Sequence, residues 1–280
     1  MNKLQSNKIL SHLSVYLELS KPDITFLVII TSFFGYYAGI CFSPESIFFN
    51  WIKVFHLMVG VALSSAGVSS LNGYLESHLD SKMNRTFNRP IPSGRISSLH
   101  ALCFGLLVSI LGVLELYFFI NPLAGILSIL TLGLYLLIYT PLKQKTEWNT
   151  IIGAIPGALP PLGGWVAATG EINIGSWIFF GLLFTWQIPH FLSIAWIYRN
   201  DYKIAGFKML TTGEKIESKI KWYIGVFSIL MIIFSILPSL IGLSGLIYIL
   251  GSILLGSFFF YTSYKMMIYP NNQTARKLLF

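Results

Sequence analysis

The chain has little charge and very little cysteine. Only 11% of its 280 residues are Asp, Glu, Lys or Arg, whereas 54% are hydrophobic and 15% are aromatic. A soluble domain of this length cannot bury so much apolar surface, and the same composition excludes a long disordered tail. We therefore expect lipid, rather than water, to surround most of the chain.

The two cysteines, Cys41 and Cys103, give no basis for a disulfide or for a cysteine–histidine metal site. In the topology derived below they fall at opposite membrane faces, about 30 Å apart across the hydrocarbon core. A disulfide requires Cα atoms within about 7 Å of each other, so none is expected between them.

Long apolar runs dominate what is present. Eight runs approach the twenty residues that a helix needs to cross a bilayer. They predict an all-α, polytopic membrane bundle in a single domain over residues 1–280. The first run is too deep and too long for a cleaved signal peptide. The predicted spans are 24–42, 52–71, 98–119, 122–140, 151–169, 176–198, 222–238 and 241–264.

The basic residues support this count. If eight spans alternate in direction, all of the 19 Lys and Arg residues except Lys53 fall on one side, Lys3, Lys8 and Lys215 among them. Short cytoplasmic loops accumulate Lys and Arg, so we predict a protein of the plasma (inner) membrane with a cytoplasmic N-terminus. The net charge of +8 follows from this bias. No nucleic-acid partner is expected, because a soluble basic face is missing.

A polar passage, NGYLESHLDSKMNRTFNRPIPSG, follows the second span. Asn72, Glu76 and Asp80 recur every four residues, which places them on one helix face, about 6 Å apart along the axis. No Gly or Pro interrupts residues 75–88, so the second helix is predicted to extend beyond the membrane edge. One interpretation is an exposed helix end facing water, with Lys82 and Arg85 as counter-ions.

The other interpretation is a cation site. Mg²⁺ takes one or two carboxylates and completes its octahedron with waters and substrate phosphate oxygens. A carboxamide and two carboxylates followed by arginines suit a metal-bridged diphosphate, because guanidinium pairs well with phosphate oxygens. A second loop, WIYRNDYKIAGFKML, carries Asp201 between Arg199 and Lys203. Alone it is typical of a solvated loop, but it lies on the same membrane face as Asn72.

These stretches resemble the UbiA-type intramembrane prenyltransferases and, within them, the protoheme IX farnesyltransferase family. The family's first motif is an Asn, an acid four residues on, an Asp four further on, and then Met-x-Arg-Thr-x-x-Arg-Pro. SKPDIT, YTPLKQKTEWNTIIGAIPGALPPLGGWVAATG and TWQIPHFLSIAWIYRNDYKIAGFKML are also similar to the family, in order, so the likeness covers most of the chain. The first motif is matched here by Asn72, Glu76, Asp80, Met83, Arg85, Thr86, Arg89 and Pro90.

The sequence departs from the family at three places. His78 stands where many members have a further acid, and Lys208 stands where Pro is frequent. The family has nine transmembrane helices, and NNQTARKLLF resembles the beginning of the ninth, so we expect either a shortened sequence or a reduced architecture.

The resemblance implies transfer of a farnesyl group from farnesyl diphosphate to a vinyl group of haem B, dependent on Mg²⁺, at the cytoplasmic membrane edge. Asn72, Glu76, Asp80 and Asp201 would be the catalytic and metal-binding residues. Contacts to the diphosphate would come from Lys21, Arg85, Arg89, Tyr139, Lys143 and Lys203. For Tyr139, a role as an interfacial anchor is the alternative.

His190 lies about two turns inside the sixth predicted span. A histidine at membrane depth is a candidate site residue, here for the haem iron or a propionate. The alternative is a hydrogen bond to a neighbouring helix. A haem-modifying or oxidase-assembly protein is an expected downstream partner.

Three other functions fit parts of the pattern. The same chemistry could act on another acceptor, such as a quinone-ring precursor. A transporter would place ionisable residues near the bilayer midplane, whereas most acids here lie at the inner edge. A non-enzymatic scaffold would tolerate removal of charge from residues 72–85.

Overall fold

The computed structural model describes residues 13–42, 49–212 and 216–279. This part of the chain consists of helices and connections, with no strand. Lys3, Lys8 and Lys215, which entered the predicted orientation, lie outside the described residues. Helical residues 13–19 precede the first long helix.

The elements follow one another along the chain as helices of very different length. A π-helical segment, Leu134–Tyr139, separates α4 from α5. The α-helices are α1 Pro22–Phe42, α2 Trp51–Asp80, α3 Ser98–Phe119, α4 Pro122–Gly133, α5 Thr140–Leu142, α6 Asn149–Thr169, α7 Ile174–Ile197, α8 Arg199–Ala205, α9 Ile216–Leu240, α10 Leu246–Ile268 and α11 Asn272–Leu279.

Within the described residues, eight helices are long and apolar enough to cross a membrane, with α4, the π-helix and α5 forming one span. The predicted all-α membrane bundle is confirmed. The second span runs on to Asp80, as the unbroken sequence predicted. The eighth begins at Leu246 rather than at 241, because Gly242 takes a left-handed conformation (φ 79°) that ends the preceding helix.

Glycine allows a close contact between α1 and α6. A Cβ on Gly35 would lie 2.0 Å from the carbonyl oxygen of Pro161, and one on Gly164 would lie 1.9 Å from that of Ser32. The backbones of α1 and α6 therefore touch directly, as in other membrane helix pairs that pack through small residues. The Pro- and Gly-rich sequence of α6 thus serves close packing.

Three connections meet at one end of the bundle. We call this end, which carries residues 72–97, 143–150 and 198–212, the polar end. Asn84 Nδ2 donates to Asp201 Oδ1 at 3.3 Å, and the Lys208 amide donates to the Lys143 carbonyl oxygen at 2.8 Å. The two charged loops therefore lie on the same face, as alternation of the spans predicted.

Candidate active site

A cavity of about 230 Å³ lies inside the polar end. Its lining contains both charged or polar residues and apolar residues. The charged and polar lining includes Lys21, Asn72, Glu76, Arg85, Arg89 and Lys143, and the apolar lining includes Ile24, Met83, Phe191, Ile194, Phe207 and Met209. A ligand with an anionic head and a hydrocarbon tail matches this composition.

The last two turns of α2 supply the acids. Asn72, Glu76 and Asp80 share one face and are 2%, 5% and 1% exposed. Asn72 Nδ2 donates to Glu76 Oε2 at 3.0 Å, and Thr140 Oγ1 donates to Asn72 Oδ1 at 3.0 Å. The interpretation of this row as a helix end facing water is wrong, because the three side chains are buried inside the bundle.

Each buried carboxylate has a cationic partner. Arg89 Nη1 lies 2.8 Å from both oxygens of Asp80, and Lys143 Nζ lies 2.7 Å from Glu76 Oε1. These partners replace Lys82, which the exposed-end interpretation had named as a counter-ion and which is exposed. A buried carboxylate requires such a partner, because an isolated charge in a low dielectric is strongly destabilising.

Two tyrosines reach the cavity from the π-helix. Tyr135 and Tyr139 both line it, with ring centroids 5.1 Å apart in an edge-on arrangement. The Lys143 ammonium lies 4.5 Å from the centroid of the Tyr139 ring. Pro141 follows the segment and has no amide hydrogen, so the regular helical bonding cannot continue there and the turn widens.

Asp201 joins the two loops. Like Asp80, it is absent from the described lining residues, and its Oδ2 accepts a hydrogen bond from the Arg85 amide at 3.2 Å. Arg85 itself lines the cavity, donates to the Tyr202 hydroxyl at 3.1 Å and lies over the Tyr198 ring at 4.4 Å. Asp201 therefore sets the position of the segment that carries Arg85.

The described residues hold no group of three or more His, Cys, Asp or Glu side chains placed to bind a metal ion together. Glu76, Asp80 and Asp201 are each engaged in the contacts given above. The structure thus brings Asn72, Glu76 and Asp80 into one row, and Asp201 contacts Asn84 and the Arg85 amide in the segment that follows this row. Lys203, on α8, is exposed and likewise lies outside the described lining of the cavity.

The cations of the site influence one another. Lys21 is half-buried and has a left-handed backbone (φ 45°) where the chain enters α1. Desolvation lowers the pKa of Lys21 to about 8, and the nearby positive charges of Arg89 and Lys143 contribute in the same direction. Desolvation also opposes the charged form of Lys143, but Tyr139 and Glu76 outweigh it and raise the pKa of this ammonium.

His190 lies apart from this cavity. Its ring stacks on Trp186 with centroids 4.7 Å apart and hydrogen-bonds to the backbone of Leu279 in α11. This is the neighbouring-helix contact that the sequence left as an alternative. Its Nδ1 is buried and has no hydrogen-bond partner among the described residues. Phe191, the next residue, lines the cavity.

Sequence reasoning missed several polar contributors to the site, among them Tyr135 and Thr140. Tyr135 stands four residues before Tyr139, a spacing that indicates a shared helix face. The bond from Thr140 to Asn72 joins α5 to α2, and no local pattern could have predicted that pairing.

Comparisons with known proteins agree on one family. Residues 28–280 match the model of the UbiA prenyltransferase family. The chain is 39% identical over 268 residues to the protoheme IX farnesyltransferase of Solibacter usitatus (strain Ellin6076), covering 94% of this chain and 92% of that protein. It is 40% identical over 264 residues to the protein of the same name from Salinibacter ruber (strain DSM 13855 / M31), with the same two coverages.

Solved structures share the fold. A digeranylgeranylglyceryl phosphate synthase superposes with a TM-score of 0.75 and 21% identity, covering 95% of this chain and 91% of that one. A UbiA homolog from Archaeoglobus fulgidus, bound to GPP and Mg²⁺, superposes with a TM-score of 0.68 and 16% identity, covering 95% and 96%.

Proposed function

This chain belongs to the UbiA prenyltransferase family and is a prenyltransferase, and from that premise we propose that it transfers a farnesyl group from farnesyl diphosphate to a vinyl group of haem B, with addition of water and release of diphosphate, to make haem O. The observation that carries the proposal is the cavity at the polar end, whose lining combines charged side chains with apolar ones. Its relatives named protoheme IX farnesyltransferase support the choice of donor and acceptor.

The diphosphate and the hydrocarbon chain of the donor each match one set of residues in the cavity lining. Lys21, Arg85, Arg89 and Lys143 supply positive charge for the diphosphate, with Tyr139 beside them. The hydrocarbon chain would lie against the apolar lining, where burial contributes about 0.8 kcal/mol per CH₂ group. Lys203 would add a more distant positive charge at the rim, since it is exposed on α8.

Asn72, Glu76 and Asp80 are the residues that would hold a Mg²⁺ ion. They present amide and carboxylate oxygens, the hard donors that Mg²⁺ prefers, and Asn72 and Glu76 line the cavity itself. When bound, Mg²⁺ supplies Lewis-acid stabilisation of the leaving diphosphate. Asp201, which the sequence analysis also named as a ligand, would act on this centre through the segment of Asn84 and Arg85 that it holds.

The basic residues of the site also contribute when the donor ionises. Breaking the allylic C–O bond places negative charge on the diphosphate, and Lys143 and Arg89 already stand within the site to stabilise it. The ring faces of Tyr135 and Tyr139 would favour the positive charge on the prenyl fragment. Exclusion of water by the apolar lining would protect that fragment from premature hydration.

The acceptor must approach along the apolar lining of the cavity, where Phe191 and Ile194 belong to α7. His190 and Trp186 lie on the same helix, and the free Nδ1 of His190 could bind the haem iron or a propionate after a change in the ring's contacts. The polar end would face the cytoplasm of a plasma (inner) membrane, with a haem-modifying or oxidase-assembly protein receiving the product.

The test is product analysis. Membranes that contain the chain, supplied with haem B, farnesyl diphosphate and Mg²⁺, should form haem O by mass spectrometry, and membranes with the Asp80→Ala variant should not. A parallel incubation should replace haem B with a quinone-ring precursor. Prenylation of that precursor without haem O would overturn the proposed acceptor, and no product from either would overturn the donor as well.

A further inference from the structure

One threonine in the described chain is buried without a hydrogen-bond partner. Five threonines are buried there, and four of them donate to an oxygen of the protein, at the carbonyls of Asp80, Tyr135, Gly181 and Ala195. The fifth is Thr150, which is 2% exposed, lines the cavity and has an unpaired hydroxyl. Buried polar groups are nearly always paired, so an unpaired one beside a cavity indicates a ligand.

The local structure explains why this hydroxyl is unpaired. A helical threonine usually donates to a carbonyl three or four residues earlier. Four residues before Thr150 is Thr146, whose carbonyl oxygen accepts from the Asn149 amide at 3.4 Å and from Asn149 Nδ2 at 2.6 Å. Asn149 Nδ2 also donates to the Lys208 carbonyl oxygen at 2.7 Å. Asn149 thus uses the local acceptor and fixes the first turn of α6 against the facing loop.

The surroundings favour an anion. A Cβ on Gly153 would lie 2.4 Å from the Tyr139 ring, so the next turn of α6 presses on the tyrosine over which the Lys143 ammonium lies. Thr150 precedes Gly153 by one turn and shares its face. It also lies at the positive end of a 21-residue helix that has no side-chain cap. The nearby Glu147 is paired with Lys219 and does not offer a competing acceptor.

From this arrangement we propose that the Thr150 hydroxyl donates a hydrogen bond to an anionic oxygen of the substrate, on the wall of the cavity next to Lys143. The oxygen we assign is one of the diphosphate of the prenyl donor. An acceptor carboxylate has the same chemistry, so the experiment distinguishes the two. The inference rests on the proposed function, and it adds a binding residue that positions the donor.

The experiment compares Thr150→Val with Thr150→Ser in the purified full chain. Valine keeps the shape and removes the hydroxyl, and serine keeps the hydroxyl. Inorganic pyrophosphate with Mg²⁺ is titrated by calorimetry, and haem B is titrated by absorption. We expect valine to weaken pyrophosphate binding about tenfold, equivalent to about 1.4 kcal/mol, and serine to remain within about twofold of the wild type. Ser109→Ala is the control, because Ser109 is also buried and unpaired but lies on α3, outside the described lining.

Loss of pyrophosphate affinity in the valine variant alone supports the diphosphate assignment. Loss of haem affinity alone supports an anion contact but moves it to the acceptor. Unchanged affinity for both probes overturns the inference, as does an equal loss in the Ser109→Ala control. If Thr150→Val does not fold, Thr150→Ala gives the same comparison. A wild-type chain that binds pyrophosphate but makes no haem O would refute the proposed function and leave this contact standing.

Discussion

Asp80 and Arg89 form an ion pair in which Arg89 Nη1 lies 2.8 Å from both carboxylate oxygens, and the carboxylate is 1% exposed while the guanidinium remains 31% exposed. The acid is therefore fixed inside the bundle, and the base reaches both the acid and the cavity. Because Asp80 is buried and Arg89 is partly exposed, Arg89 is suited to shift from Asp80 to an anion that enters the cavity.

Replacing Asp80 with Asn should separate folding from chemistry. We expect prenyl transfer to fall more than about 100-fold, because a charged ligand of the proposed metal is lost. We also expect a loss of about 1–3 kcal/mol in stability, because Arg89 loses its partner. Transfer is measured as haem O formed, and stability as the thermal midpoint in detergent.

The control for Asp80→Asn is the double variant Asp80→Asn with Arg89→Gln. It should recover part of the stability, since no unpaired charge remains, without recovering transfer. Recovery of transfer along with stability would show that Asp80 has only a structural role.

Chelation should abolish the reaction reversibly. Removal of divalent cations from membranes supplied with both substrates should stop haem O formation, and added Mg²⁺ should restore it, because Asn72, Glu76 and Asp80 present oxygen donors to the proposed ion. Glu76→Gln should raise the Mg²⁺ concentration needed for half-maximal activity. Undiminished turnover in the chelated sample would remove the metal from the mechanism.

Affinity for the diphosphate should fall as pH rises above about 8. The pKa of Lys21 is lowered from 10.5 to about 8, so over this interval the unfolded chain binds a proton that the empty folded site releases. The contribution of Lys21 to the free energy of unfolding therefore rises with pH across this interval. Below about pH 8, Lys21 is protonated in the folded state and is repelled by Arg89 and Lys143. A bound diphosphate relieves that repulsion and raises the pKa again, so binding takes up a proton.

Calorimetry at pH 8.5 in buffers of different ionisation enthalpy measures this proton uptake directly. Lys21→Met is the control and should bind diphosphate more weakly, with less proton uptake than the wild type. Equal uptake by both proteins would assign the titration to another group.

Gly153→Ala should impair activity, and Gly163→Ala should not, although both residues lie in α6. A methyl group on Gly153 would come within 2.4 Å of the Tyr139 ring, whereas Gly163 has open space at that position. We expect Gly153→Ala to lower the rate of transfer about tenfold or more, by displacing Tyr139 and the Lys143 ammonium that lies over it. Gly163→Ala should be neutral or stabilising by up to about 1 kcal/mol. A parallel assay of haem O formation and thermal midpoints checks both.

A hydrogen-bonded pair at the other end of α2 should have no part in transfer. His56 Nδ1 lies 2.7 Å from Glu115 Oε1, and the His56 ring stacks on Phe119 at 4.5 Å. Glu115→Gln should therefore lower stability by up to about 1 kcal/mol and leave haem O formation within about twofold of the wild type. A large loss of activity with an unchanged thermal midpoint would contradict this assignment.

Much of the fold could be predicted because membrane-spanning helices can be recognised in a sequence by their length and hydropathy. The extension of α2 to Asp80 followed from the absence of helix breakers, and the sharing of one face by the two loops followed from alternation. The partners of the acids could not be predicted in the same way. Lys143 reaches Glu76 across 67 residues, and Arg89 reaches Asp80 by a compact loop, so both pairings depend on tertiary geometry.

The π-helix and the placement of His190 show the same limit. Pro141 marks a place where regular hydrogen bonding must fail, but not whether the helix kinks or widens. His190 is one residue from Phe191, yet only Phe191 lines the cavity. A rotation of about 100° between neighbouring residues separates a site residue from a packing residue, and sequence spacing alone did not resolve it.

The direct backbone contact between α1 and α6 limits where the cavity can expand. A volume of about 230 Å³ is below the roughly 300–1,000 Å³ typical of small-molecule pockets, so two bulky substrates require expansion. Helices whose main chains already touch form a rigid boundary that cannot spread without losing that contact. Expansion would then involve other parts of the lining, which include Phe207 and Met209 on the loop that follows α8.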